Sequence, residues 1–279
     1  MLLSTPLLTL ETAQALGHAR DTHAASIRCS FDLQKSVTEA QVHEDHWQWN
    51  GARFAYPARC RDRTIYYWTG ESFEPVSRFS TSLVKLVPTI WGPPTFEIDG
   101  IKMLPTAQVS PYEDARRKVG LIRPRGKVIL DCCGGLGYFA GWCLQEGASR
   151  IVSFEKNPDV LWLRSLNPWS PAPEAGALEL ECGDVAQAIG ALPAAQFDAV
   201  LHDPPRFGIA GELYSQHFYD ELARVLKPRG TMFHYTGTPN KLTSNRDVPN
   251  EVAGRLQRAG FSTTIQGDGV LAVKKAQRR

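Results

Sequence analysis

KVILDCCGGLGYFAGWCLQEG, residues 127–147, runs from an apolar segment through a glycine-rich turn into a helical pattern. Val128 to Leu130 suit a buried strand, and Gly134, Gly135 and Gly137 mark a sharp turn. The apolar stretch that follows closes at Gly147, as a helix would. In an open α/β sheet, ligands sit beyond the carboxyl ends of the strands, so this turn is the first place to seek one. Two nucleotide readings fail on spacing. A phosphate loop needs Lys and then Ser or Thr after its last glycine, and a dinucleotide turn needs GxGxxG. Neither pattern continues past Gly137.

Outward from the turn, strands and helices alternate. RIVSFEK (150–156) reads as a strand, DVLWLRSL as a helix, LELEC (178–182) and FDAVLH (197–202) as strands. ELYSQHFYDELARVL (212–226) reads as one helix, and GTMFHYT (230–236) as the next strand. A helix near 248–259 precedes FSTTIQ (261–266) and GVLAVKK (269–275), two strands joined by Gly-Asp. This alternation predicts an α/β fold with a doubly wound, Rossmann-like, mostly parallel sheet and an antiparallel hairpin at its C-terminal edge.

Residues 1–107 have a different grammar. Short aromatic and β-branched runs, WQWNGARFAY (47–56), RTIYYWTG (63–70), SLVKLVPT (82–89) and PTFEIDGIKML (94–104), are punctuated by Gly and Pro. They predict a small antiparallel β-rich domain that closes over the substrate, with a helix near 10–20. In QVSPYEDARRKVGLIRP (108–124), Ser110 suits an N-cap and Pro111 the first helical position, so a connecting helix opens the second domain, 108–279.

The 279 residues, 43% hydrophobic and 22% charged with net charge +2, have no strongly basic footprint and no apolar run long enough to span a membrane. The opening MLLSTPLLTLETAQALGHAR lacks a basic segment ahead of a continuous apolar core, and does not read as a secretory leader. The six cysteines show no CxxC pair; Cys132 and Cys133 are adjacent. They read as reduced residues of a cytoplasmic protein, with no metal site.

Acidic residues stand at successive strand ends. Glu155, eighteen positions after Gly137, suits a carboxylate bridging two ribose hydroxyls. Asp184 follows the third strand, where it can accept from an adenine amino group, and Asp203 stands at the tip of the fourth. One such residue is an ordinary cap; the series points to a nucleoside-bearing cofactor.

In these residues the chain resembles the class I S-adenosylmethionine-dependent methyltransferases over roughly 125–275. Asp131, Gly135 and Gly137 match the family's first motif, with Cys133 where its first glycine usually stands. The ribose acid falls on Glu155, the adenine-side acid on Asp184 and the fourth motif on Asp203-Pro204-Pro205-Arg206. The resemblance implies S-adenosylmethionine as cofactor, held by Asp131, Gly134, Gly135, Gly137, Glu155, Lys156, Asn157, Asp184, Val185 and Asp203. Its catalytic candidates are Asp203, Arg206, Tyr138 and Tyr214. A narrower resemblance, carried by "FEKNPDVLWLRSLNPWS", "HDPPRFG" and the "SPYED" segment, is to a spermidine-synthase-like group of predicted methyltransferases with a small N-terminal β domain.

Amino-methyltransferases place an aromatic residue directly after the two prolines; Arg206 stands there, which argues against DNA adenine methylation and suits an acidic acceptor. RNA uracil methyltransferases share "DPPR" but need a cysteine nucleophile in the loop after the fifth strand, where this chain reads Tyr235-Thr236-Gly237-Thr238-Pro239. The expectation is a cytoplasmic methyltransferase acting at N or O of a small molecule, with no membrane partner and with nucleic acid the less favoured one. Oligomerisation is left open. The alternatives are transfer or cyclisation of the aminoalkyl chain with release of methylthioadenosine, for which Asp203 and Glu212 would hold a polyamine, and RNA methylation. His202 is read as facing away from the site, His234 as a satisfied core residue, and Trp169 as an adenine wall or core.

Overall fold

The structure, a computed structural model, describes residues 5–172, 176–237 and 247–276. Thr238 and Pro239 lie outside the described residues. Two compact units result. One runs to Asp114 and includes Trp162–Ser170; the other comprises Ala115–Leu161 and the chain from Pro171.

The first unit contains β1 (Leu7–Leu8), α1 (Leu10–Asp21), β2 (Ser26–Cys29), β3 (Thr38–Val42), β4 (His46–Trp49), β5 (Ala52–Ala55), β6 (Tyr66–Trp68), β7 (Phe73–Pro75), β8 (Ser77–Phe79), β9 (Leu83–Val87), β10 (Thr95–Ile98) and β11 (Ile101–Lys102). They form three antiparallel sheets, ordered β1-β6-β7, β2-β3-β4-β5 and β11-β10-β9-β8. Turn chemistry explains two hairpins. Asn50-Gly51 and Asp99-Gly100 join β4 to β5 and β10 to β11, all four with positive φ, as a two-residue turn matched to strand twist requires. Alternation along β4 and β5 buries Trp47, Trp49 and Phe54; Trp47 stacks on Phe31 at 4.8 Å between ring centroids. Trp169 joins this unit, half-buried, its indole N–H donating to the Leu33 carbonyl at 3.0 Å and its ring 5.4 Å from Tyr112.

Helix α2 (Pro111–Ile122) crosses from the first unit to the second. The second unit is built on β12 (Val128–Asp131), β13 (Arg150–Glu155), β14 (Leu178–Cys182), β15 (Phe197–His202), β16 (Leu226–Tyr235), β17 (Phe261–Gln266) and β18 (Gly269–Lys274). Its helices are α3 (Tyr138–Gln145), α4 (Pro158–Leu166, whose last turns belong to the first unit), α5 (Val185–Ala188), α6 (Gln216–Val225) and α7 (Val248–Arg258). One seven-stranded sheet runs β14-β13-β12-β15-β16-β18-β17. The first five strands in chain order are parallel, and β18 is antiparallel to both β16 and β17. The expected fold class is therefore present. Strand order reverses between β12 and β15, so the ends of these two strands flank the crevice that such sheets use for ligands.

The central strands read as near-continuous apolar runs because helices cover both faces of a parallel sheet. Ile129, Leu130, Val200, Leu201, Met232 and Phe233 are all fully buried. Two segments depart from the sequence reading. The helix expected over 212–226 is broken into a single tight turn, Gly211–Tyr214, and α6. Ser215 makes the break: its side chain accepts from the Phe218 N–H at 3.1 Å, capping α6 where a continuous helix would need a backbone carbonyl. The strand expected from Gly230 begins at Leu226, with an irregular register where it passes Phe197 and Ala199.

Candidate active site

β12 ends at Asp131, 1% exposed, whose carboxylate accepts from the Ser153 hydroxyl at 2.8 Å, across the parallel pairing of Asp131 with Ser153. The turn beyond is tied to both neighbouring strands: Cys132 N–H donates to the Leu201 carbonyl at 3.0 Å and Gly134 N–H to that of Phe154 at 2.7 Å. Gly135 and Gly137 take positive φ, +50° and +80°, a region that a side chain disfavours. Cys133 is not among the positive-φ residues, so a side chain fits there. Burial pushes its thiol well up, helped by Cys132, Glu155, Asp131 and Asp203, which leaves a neutral packing group with no thiolate character.

Glu155 closes the turn from the next strand. One oxygen accepts from Gly135 N–H and the other from Asn157 N–H, both at 2.9 Å. The carboxylate thus fixes the glycine turn. Asn157 in turn accepts from the Asp159 N–H at the start of α4. At the third strand end, Asp184 caps α5 by accepting from Ala186 N–H at 2.9 Å, with Val185 buried behind it. Lys156 lies between two acids, 3.9 Å from Asp184 and 3.7 Å from Glu212.

At the fourth tip stands a residue that the sequence reading missed. Lys118, its side chain 2% exposed, brings its ammonium within 3.5 Å of the Asp203 carboxylate and 3.9 Å of the centroid of the Tyr235 ring. Helix α2 delivers it through three consecutive basic residues, each bound to a different element. Arg116 stacks over Trp142 of α3 at 4.9 Å; Arg117 grips the Asp268 carboxylate in the β17–β18 turn at 2.8 Å; Lys118 meets Asp203. A signal existed in the sequence: Ala115, Lys118, Val119 and Ile122 share one buried helical stripe, and a lysine inside such a stripe needs a partner.

The other candidates fall into distinct settings. Tyr214 is buried, and its hydroxyl donates to the Pro205 carbonyl at 3.1 Å; its ring lies 5.4 Å from Phe207 and 5.3 Å from His234. Burial, then the nearby Asp203 charge, holds its phenol well above the usual range. It braces the Asp203 turn, and Arg255 of α7 donates to its carbonyl in turn. Tyr138 is buried at the first position of α3. Arg206 is exposed on the turn after Asp203. His202 and His234 are fully buried, with rings 4.4 Å apart. His202 Nε2 faces the Leu213 carbonyl at 3.1 Å, so that nitrogen carries the proton and Nδ1 is a buried lone pair without a hydrogen-bond partner among the described residues. His234 Nδ1 lies 2.8 Å from the Tyr235 carbonyl, and Nε2 accepts from the Tyr219 hydroxyl at 2.9 Å. Among the described residues no group of His, Cys, Asp and Glu could hold a metal ion, and no helix is long and apolar enough to cross a membrane.

Residues 160–240 match the model of a family described as S-adenosyl-L-methionine-dependent methyltransferase. An uncharacterized protein of Methanocaldococcus jannaschii is 44% identical over 194 residues, 68% of this chain and 66% of its own length. Polyamine aminopropyltransferase 2 of Streptomyces coelicolor is 29% identical over 134 residues, 45% of this chain and 24% of that protein. The chain thus spans just under two thirds of the first relative and about a quarter of the second. In fold it is similar to the spermidine synthase of Thermotoga maritima, at 17% identity with a TM-score of 0.57 over 72% of each chain. A spermidine synthase solved with the transition-state analogue AdoDATO gives 15% identity and a TM-score of 0.58 over 72% of this chain and 73% of that one.

Proposed function

Taking the chain as an S-adenosylmethionine-dependent transferase, by its family match over 160–240 and its fold, we propose that it methylates a small-molecule acceptor at N or O. The observation that carries this reading is the Glu155 carboxylate, held by Gly135 and Asn157 N–H groups at the switch point of the sheet. It couples the glycine turn to an acid at the end of the second strand, where a carboxylate suits the two hydroxyls of a ribose. Asp184 would meet the adenine side, while Asp131, Gly134 and Gly137 shape the turn for the amino-acid end. Lys156, Asn157 and Val185 line the stretch between. When bound, the cofactor supplies an activated alkyl group on sulfur.

The chain's own work is alignment and proton removal. Asp203 accepts a hydrogen bond from the acceptor, and Tyr214 keeps the Asp203–Arg206 turn in place through Pro205. Tyr138 and Arg206 border the acceptor side. The reading takes a small molecule as partner and the cytoplasm as location, in keeping with six unpaired cysteines. The runner-up is aminoalkyl transfer, favoured by the likeness to spermidine synthases.

Calorimetry with S-adenosylmethionine tests the first step. Wild type binds, and Glu155→Gln weakens binding at least tenfold, about 1.4 kcal/mol; unchanged affinity in the variant would overturn the assignment of Glu155. Chromatography of the spent cofactor decides the chemistry: S-adenosylhomocysteine supports methyl transfer, methylthioadenosine the runner-up.

A further inference from the structure

We infer that Lys118 makes this an acceptor site for uncharged molecules, closing it to polyamines. The inference rests on the cofactor reading above and concerns the acceptor end alone. A cationic acceptor needs carboxylates whose charge is not already matched. The two acids suited to that role are Asp203 and Glu212. Asp203 has the Lys118 ammonium at 3.5 Å, and Glu212 has Lys156 at 3.7 Å.

The two pairs are not equal. Lys156 and Glu212 are about half exposed, so water and salt screen them and a ligand can displace either partner. Lys118 is shut in. Its side chain is 2% exposed, its ammonium sits 3.9 Å from the Tyr235 ring and 5.9 Å from that of Phe139, and its helix is fixed on either side by Arg116 on Trp142 and Arg117 on Asp268. An alkylammonium brought to Asp203 would therefore meet a fixed like charge in a medium that screens it poorly. A hydroxyl or a neutral ring nitrogen meets no such opposition. Such a group can donate to Asp203 or accept from the ammonium. Exposed Arg206, on the same turn, adds positive charge on that side.

The test titrates spermidine and putrescine into wild type, Lys118→Met and Lys118→Arg, each with and without saturating S-adenosylhomocysteine. Wild type and Lys118→Arg are expected to show no saturable binding of either amine. Lys118→Met, which removes that ammonium from beside Asp203, gains spermidine affinity by tenfold or more. Saturable spermidine binding by wild type, or a folded Lys118→Met protein that gains none, overturns the inference. Should Lys118→Met fail to fold, the wild-type and Lys118→Arg titrations decide alone, because binding in either refutes the idea and its absence in both supports it. Failure of S-adenosylhomocysteine to bind would sink the cofactor reading instead, while the amine titrations of the unliganded protein still report on Lys118.

Discussion

Acid should unfold the seven-stranded sheet through its paired histidines. Burial lowers the pKa of His202 from 6.5 to about 4, with the Leu213 hydrogen bond opposing part of the shift. Burial, with His202 as a smaller cause, lowers that of His234 in the same direction. An unfolded chain protonates both rings near 6.5, so between that value and 4 the unfolded state holds more protons than the native one. Stability is thus complete above about pH 6.5 and declines as pH falls toward 4, at ~1.4 kcal/mol per pH unit per histidine. From pH 7 to pH 5, His202 alone accounts for about 2 kcal/mol. Native-state hydrogen exchange over the β15 and β16 peptides, corrected for intrinsic rates, measures this on the relevant strands. The His202→Gln protein should lose about 2 kcal/mol less than wild type across that interval. His202→Phe, which keeps the ring contact with Phe218, should behave alike. Taking the difference of differences cancels the other titrating groups. Equal losses in wild type and both variants would refute the reasoning, because His202 would then titrate as it does in the unfolded chain.

Two further outcomes follow from the site. Cys133→Gly should leave cofactor affinity within twofold by calorimetry, since the thiol is neutral and Cys133 lies outside the positive-φ set. Tyr214→Phe removes the hydrogen bond to Pro205 while keeping the ring packing, so urea unfolding should report a loss of about 1 kcal/mol. If instead kcat collapses by two orders of magnitude with stability unchanged, Tyr214 takes part in the reaction and is no brace.

What could be read from the sequence was whatever repeats locally. Asp-Gly, Asn-Gly and Gly-Asp turns declare their hairpins because few residues tolerate positive φ. Acids at strand ends were legible because parallel strands read as apolar runs, so Glu155, Asp184 and Asp203 each stand just past one. Long-range partners were not. Lys118 lay in a helix that read as a connector, and its partner Asp203 lies 85 positions away. The bond of Trp169 to Leu33, 136 positions distant, has no local signal either. The division of α4, whose last turns pack with the first unit, has no local signal because the helix itself is continuous. The break before α6 was legible in principle: a serine ahead of a helical pattern is a favoured N-cap, masked here by the aromatic periodicity around it.

The position of β18 between β16 and β17 sets an order of events during synthesis. Residues 226–235 leave the ribosome before their antiparallel neighbour, residues 269–274, and β17 emerges first without a partner strand of its own. Until β18 arrives, the side of β16 facing away from β15 is an open edge beside an apolar core, the kind of surface on which nascent chains associate wrongly. Completion of the sheet therefore waits on β18, and a chain stalled before Gly269 still carries that open edge.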